Sequence, residues 1–79
     1  MAVYTYDEEA DALYVLLIPE TEIAIEQTVE LDDRLHVDLD DQGRPVGIEI
    51  LYPTHGPVNL EPIRDRYGLD VKLPFEFAA

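Results

Sequence analysis

Apolar and polar residues alternate with period two through most of this chain, the mark of strands with one buried and one wet face. Over residues 21–31 the odd positions include Ile23, Ile25, Val29 and Leu31, while the even ones are Glu22, Ala24, Glu26, Thr28 and Glu30. Gln27 breaks the rule, and a bend or bulge is expected there. Leu35, Val37 and Leu39 keep the apolar parity, with His36, Asp38 and Asp40 opposite. Val46, Ile48 and Ile50 then alternate with Pro45, Gly47 and Glu49.

Parity also specifies register. A two-residue turn at Gln42-Gly43 pairs Asp41 with Arg44 and sets Leu39 against Val46, Val37 against Ile48 and Leu35 against Ile50 on one side. His36 then faces Glu49, and Asp38 faces Gly47, on the other. A slip of one residue would oppose apolar to polar throughout. Gly43 supplies the positive φ that a tight hairpin requires. In the preceding turn, Asp32-Asp33-Arg34, pairing Leu31 with Leu35 leaves a three-residue loop and places Arg34 where glycine is preferred.

Toward the N-terminus, residues 3–6 read as a strand and residues 7–11 as a polar connection. Residues 12–18 are apolar at nearly every position. A helix capped by Asp7 competes for this segment, but Tyr14, Val15 and Ile18 favour a strand and Pro19 ends it. The strand reading implies burial on both faces and an interior place in the sheet. Beyond Leu51, Pro53, Gly56 and Pro57 punctuate a loop. Pro62 and Gly68 then bracket a short helix over 62–67, and residues 69–73 alternate weakly as a final edge strand. The expected fold is mainly β (α+β), an antiparallel meander of about five strands with a short C-terminal helix. It forms one domain: a meander over 1–51, then loop, helix and tail over 52–79.

Two strings carry a family pattern: Thr5-Tyr6-Asp7-Glu8-Glu9-Ala10-Asp11-Ala12-Leu13-Tyr14-Val15, and Val37-Asp38-Leu39-Asp40-Asp41-Gln42-Gly43-Arg44-Pro45-Val46-Gly47-Ile48-Glu49-Ile50. Over residues 1 to about 51 the chain resembles the domain-of-unknown-function family numbered 2283, small acidic prokaryotic proteins. The resemblance implies a mainly β fold and brings no activity with it. It departs at Arg34, which stands where glycine is common. Some members of that family resemble antitoxin-like partners of small toxin-like proteins.

Charge narrows the function classes. Eighteen acids against five bases give a formal net charge of −13. Residues 1–60 hold fourteen acids and two arginines, net −12, whereas residues 61–79 hold four acids and three bases, net −1. Such a field repels phosphate, so nucleic acid is not an expected partner. The run over 12–18 is far below the ~20 residues that span a bilayer, and it has no basic leader, so neither membrane nor export is expected and the cytoplasm is. Cysteine and serine are both absent, which removes disulfides, thiolate ligands and the two commonest nucleophiles.

The remaining chemistry lies in the acids. Parity gathers Glu22, Glu26, Glu30, Asp38, Asp40 and Glu49 on one side of the sheet, a candidate face for a basic protein partner. Asp38, Asp40, Gln42, Gly43 and Glu49 also stand at the first, third, fifth, sixth and twelfth positions of a calcium loop. Pro45 takes its aliphatic position, however, and no helices flank it. The same residues make a complete hairpin, and no cofactor is expected. His36, Asp38 and Asp40 are the metal ligands of an alternative, hydrolase-like reading; His36 opposite Glu49 resembles a base held by a carboxylate, without a nucleophile beside it. His55 is expected in a loop. Asp7 and Asp11, with Tyr6, are expected to cap the first turn. An open sheet of this size covers its apolar face thinly, since a chain this short buries only ~60% of its surface. A homodimer through residues 12–18 or 73–77 is therefore expected. The function expected is that of a non-enzymatic, homo-oligomeric binding module.

Overall fold

A computed structural model describes residues 3–19, 22 and 24–73. Five antiparallel strands form one sheet: β1 (Val3–Asp7), β2 (Ala12–Leu16), β3 (Gln27–Asp32), β4 (Leu35–Leu39) and β5 (Pro45–Leu51). A 3-10 turn (Pro53–His55) and one helix, α1 (Glu61–Tyr67), follow. The mainly β reading with a short terminal helix holds. The order in space is β1-β2-β5-β4-β3, so β5 lies in the middle and the chain after β2 must lead to the far edge. β3, β4 and β5 are joined by tight turns; β2 against β5 is the one pairing between strands distant in sequence.

The register predicted for β4 and β5 is present from Leu35↔Ile50 through Asp38↔Gly47. The turn itself differs. Asp40 donates its N–H to the Arg44 carbonyl, and Gly43 donates to Asp40, so the loop is Asp41-Gln42-Gly43. Leu39 consequently pairs with Pro45, and Val46 is the extra residue of a bulge. The Asp40 carboxylate decides this by accepting from the Gln42 and Arg44 N–H groups, with Gly43 at φ 76° completing the turn.

The other hairpin also departs from expectation. Asp32 rather than Leu31 pairs with Leu35, leaving a two-residue turn, and the bulge falls between Glu30 and Asp32 rather than at Gln27. Arg34 thereby avoids positive φ. Of the strand expected over 21–31, residues 21 and 23 lie outside the described residues, and residues 24–26 are not strand because β4 ends at Leu39; the Glu26 N–H bonds to the Leu39 carbonyl and the ladder stops.

Leu13 and Val15, Leu35, Val37 and Leu39, and Ile48 and Ile50 close one face of the sheet, with Ile63 of α1 fully buried against them. A seven-residue helix cannot persist alone, and burial of Ile63, worth roughly 2–3 kcal/mol, docks it. Gly68 ends the helix in a left-handed conformation, as its position predicts. Residues 69–73 alternate half-buried and exposed, yet they form no strand: Leu69, Val71 and Leu73 pack onto the core instead.

Among the described residues no element packs over the opposite face in this way. β2 is interior and a strand, but burial is complete only at Leu13 and Val15; Ala12, Tyr14 and Leu16 remain half-buried. Expected burial on both faces is thus corrected: one short helix supplies one layer. Part of the 73–77 segment lies outside the described residues.

Candidate functional site

The open face is built from cross-strand rows. One runs Thr5, Tyr14, Glu49, His36 and Glu30 across all five strands. The next runs Val3, Leu16, Gly47, Asp38 and Thr28. Each position is set by period two in its strand and by the register of the neighbouring pair.

Two polar networks occupy these rows. The Tyr14 hydroxyl donates to Asp38 Oδ2 at 2.6 Å, and the Thr28 hydroxyl donates to Oδ1 at 2.6 Å. Tyr14 reaches across β5 only because residue 47 is glycine: a Cβ there would lie 1.8 Å from the hydroxyl oxygen. Burial, then Asp38, pushes the Tyr14 hydroxyl well above its usual pKa, so it stays a donor. Beside it, the His36 ring lies between two carboxylates, with Nδ1 3.2 Å from Glu49 and Nε2 3.3 Å from Glu30. Their hydrogen bonds, led by that of Glu49, raise the His36 pKa against the opposing effect of burial.

Of the six acids expected on this face, Glu30, Asp38 and Glu49 lie on it within strands. Glu26 is exposed just before β3. Asp40 closes the β4–β5 turn, where its carboxylate takes the Arg44 guanidinium at 2.8 Å as well as the two backbone N–H groups. Those bonds, the Arg44 N–H first, hold its pKa below the usual carboxylate range. Glu22 borders a hollow of about 390 Å³ with Ile18, Asp40 and Arg44, at the end of the sheet. His36, Asp38 and Asp40, the alternative metal set, have their polar atoms committed to different partners, and among the described residues no three His, Cys, Asp or Glu side chains are grouped to hold a metal. The five residues of the calcium-loop spacing are divided between two strands and a turn.

At the opposite end a second constellation escaped the sequence. Asp7 caps its turn as expected, accepting from the Glu9 and Ala10 N–H groups. Asp11 accepts from the hydroxyls of Tyr6 and Thr54, and His55 Nε2 lies 3.4 Å from it. The Thr54 bond chiefly lowers the Asp11 pKa. Asp11 and Tyr52 both have positive φ, 48° and 55°, and are joined by the Tyr52 N–H to the Asp11 carbonyl. Such backbone persists only where neighbours enforce it. Arg34 does so: its guanidinium donates to the carbonyls of Leu51, Tyr52, Gly56 and Pro57. The arginine that the sequence set where glycine is preferred is the clamp of the loop after β5. These contacts organise a loop; the Thr54 hydroxyl gives its proton toward a carboxylate already hydrogen-bonded elsewhere, which is not the arrangement of an activated nucleophile.

One signal in the sequence pointed to the Tyr14–Asp38 contact. Gly47 interrupts an otherwise well-filled strand, and glycine there marks a close approach. Nothing comparable marked Arg34.

Fold and face together define a class: a small single-sheet protein, closed on one side by a helix and tail, open and acidic on the other. The pattern of the family described as protein of unknown function (DUF2283) matches residues 4–52, more than half of the chain, and the protein belongs to that family. No curated protein and no solved structure matches the chain. Among the described residues no helix is long and apolar enough to cross a membrane.

Proposed function

We propose that the protein is a non-enzymatic binding module whose open sheet face receives a cationic protein surface. One observation carries this reading: the uncovered face, rather than the covered one, presents Glu30, Asp38 and Glu49 around an ordered Tyr14 and His36. An ordered face loses little side-chain entropy on binding, and its field attracts a basic partner within about a Debye length, ~8 Å at physiological salt. The absence of serine and cysteine speaks for binding over catalysis. Neutralising a basic protein, as an antitoxin does, is the form of binding that the family resemblance favours. A lysine-rich peptide titrated into labelled protein tests the location. Amide shifts concentrated on β3, β4 and β5, and lost in Glu30→Lys/Glu49→Lys, support the face. Shifts that follow the loop acids Glu8, Glu9 and Asp33 instead would refute it.

A further inference from the structure

His36 already holds the carboxylates that a cationic partner would use. Its Nδ1 lies 3.2 Å from Glu49 of β5 and its Nε2 3.3 Å from Glu30 of β3, so one ring on β4 bridges both neighbouring strands. The His36 side chain is 22% exposed, against 70% for Glu30 and 45% for Glu49, so solvent reaches the carboxylates more readily than the ring between them. A cation that arrives at either carboxylate therefore arrives beside the imidazole. The other charged groups around the ring have their own bonds. Asp38, two residues on along β4, accepts from Tyr14 of β2 and Thr28 of β3, and Asp32 of β3 accepts the Arg34 N–H. The Arg34 guanidinium is directed to carbonyls between residues 51 and 57.

We propose that the proton on His36 competes with the cationic partner for Glu30 and Glu49, so that the face binds a basic protein more tightly when the ring is neutral than when it is protonated. The inference rests on the reading of this face as a binding module and adds what regulates it. Protonated, the ring is a donor at both nitrogens and directs one N–H at each carboxylate. A lysine or arginine brought to the same carboxylates then meets a like charge a few ångströms away. At a solvent-exposed site that repulsion weakens binding by about threefold to tenfold. Neutral, the ring keeps a single N–H, and the carboxylate that loses its hydrogen bond turns to the partner. Glu49 first, and Glu30 with it, raise the pKa of the ring above its ordinary 6.5 against the effect of burial. The exchange therefore falls near neutral pH, where histidine is the side chain that ordinarily changes charge. The second histidine of the chain, His55, lies in the loop after β5.

Linkage requires the converse. A bound cation loosens the proton on His36, so the ring titrates at lower pH in the complex, and binding near its midpoint releases part of a proton to solvent. Salt acts differently. It weakens attraction between the acidic face and a cation at every pH, whereas the proton acts only across the titration of one ring.

The probe is a lysine-rich peptide, whose side chains keep their charge between about pH 5.5 and 8.5. Calorimetric titrations across that range at fixed ionic strength should show the dissociation constant falling about threefold to tenfold with rising pH and then levelling off. His36→Gln, which carries no titrating proton, should bind with an affinity independent of pH. His55→Gln, the control for a change in overall charge, should keep the dependence of the unmodified chain. The His36 imidazole midpoint, followed on the unmodified chain with and without saturating peptide, gives an answer even if His36→Gln disturbs the fold. By reciprocity it should fall by the same factor, about 0.5–1 in pH. Amide shifts on β3, β4 and β5 with an affinity that ignores pH, or a midpoint that the peptide leaves in place, overturn the proton exchange and keep the binding face. No binding at any pH, or shifts that follow the loop acids, overturn the face and the exchange with it.

Discussion

The Tyr14 hydroxyl on β2 is hydrogen-bonded to the Asp38 carboxylate on β4, two strands away, and its ring crosses the intervening β5 over Gly47. The three residues form one unit. Gly47→Ala drives a methyl group into the tyrosine, which must swing outward and lose Asp38. We expect a destabilisation of about 1–3 kcal/mol in chemical unfolding. Much of this penalty should vanish in a Tyr14→Ala background, where the space is open; strict additivity of the two changes would show that the residues do not meet.

Arg34 gives a second prediction. Lysine can reach one of the four carbonyls but cannot fork among them. Arg34→Lys should cost roughly 1–3 kcal/mol, close to Arg34→Ala, and should raise amide exchange over residues 52–57 before the strands are affected. Equal exchange in both regions would argue against a clamp.

The Asp41-Gln42-Gly43 loop makes a third. A Cβ on Gly43 would touch nothing within 4 Å, so only the positive φ resists substitution. Gly43→Val should lose about 1–2 kcal/mol, Gly43→Asn much less, because asparagine tolerates the left-handed region. Gln42→Gly should be mild. A loss in Gly43→Asn as large as in Gly43→Val would point to a steric cause instead.

His36 predicts a pH dependence of definite sign. Its folded pKa is raised above the ordinary 6.5, so the protonated ring is favoured by folding. The stability it contributes is present in full below that ordinary value and disappears as pH rises through the folded pKa. His36→Gln should therefore destabilise the protein most in mildly acid solution and least in alkaline solution. The imidazole resonance should titrate above 6.5, and back toward it in Glu49→Gln; a midpoint at or below 6.5 contradicts the bridged geometry.

Much of this was legible in the chain because period two leaves little freedom. Leu35, Val37, Ile48 and Ile50 admit only the register found, and Pro62 with Gly68 brackets a helix found one residue longer at its start. The turns were less legible, since one extra residue in a bulge leaves the pattern of neighbouring strands intact. Asp40 and Asp32 chose the loops through side-chain bonds to nearby N–H groups, and those compete with turn propensity on nearly equal terms.

By itself, then, the sequence determined the five strands in outline though not all their ends, the parity of their faces and the side on which Glu30, Asp38 and Glu49 gather; it also promised a strand over 69–73 that does not form. These follow from local geometry, in which successive side chains alternate and apolar ones leave water. The pairing of β2 with β5 was decided only in three dimensions, and with it the reach of Tyr14 to Asp38 and the grip of Arg34 on the 51–57 loop. Each joins residues far apart along the chain, where closing the loop costs entropy and many partners are locally equivalent. Only the packing of the whole core around Ile48 and Ile50 selects one of them.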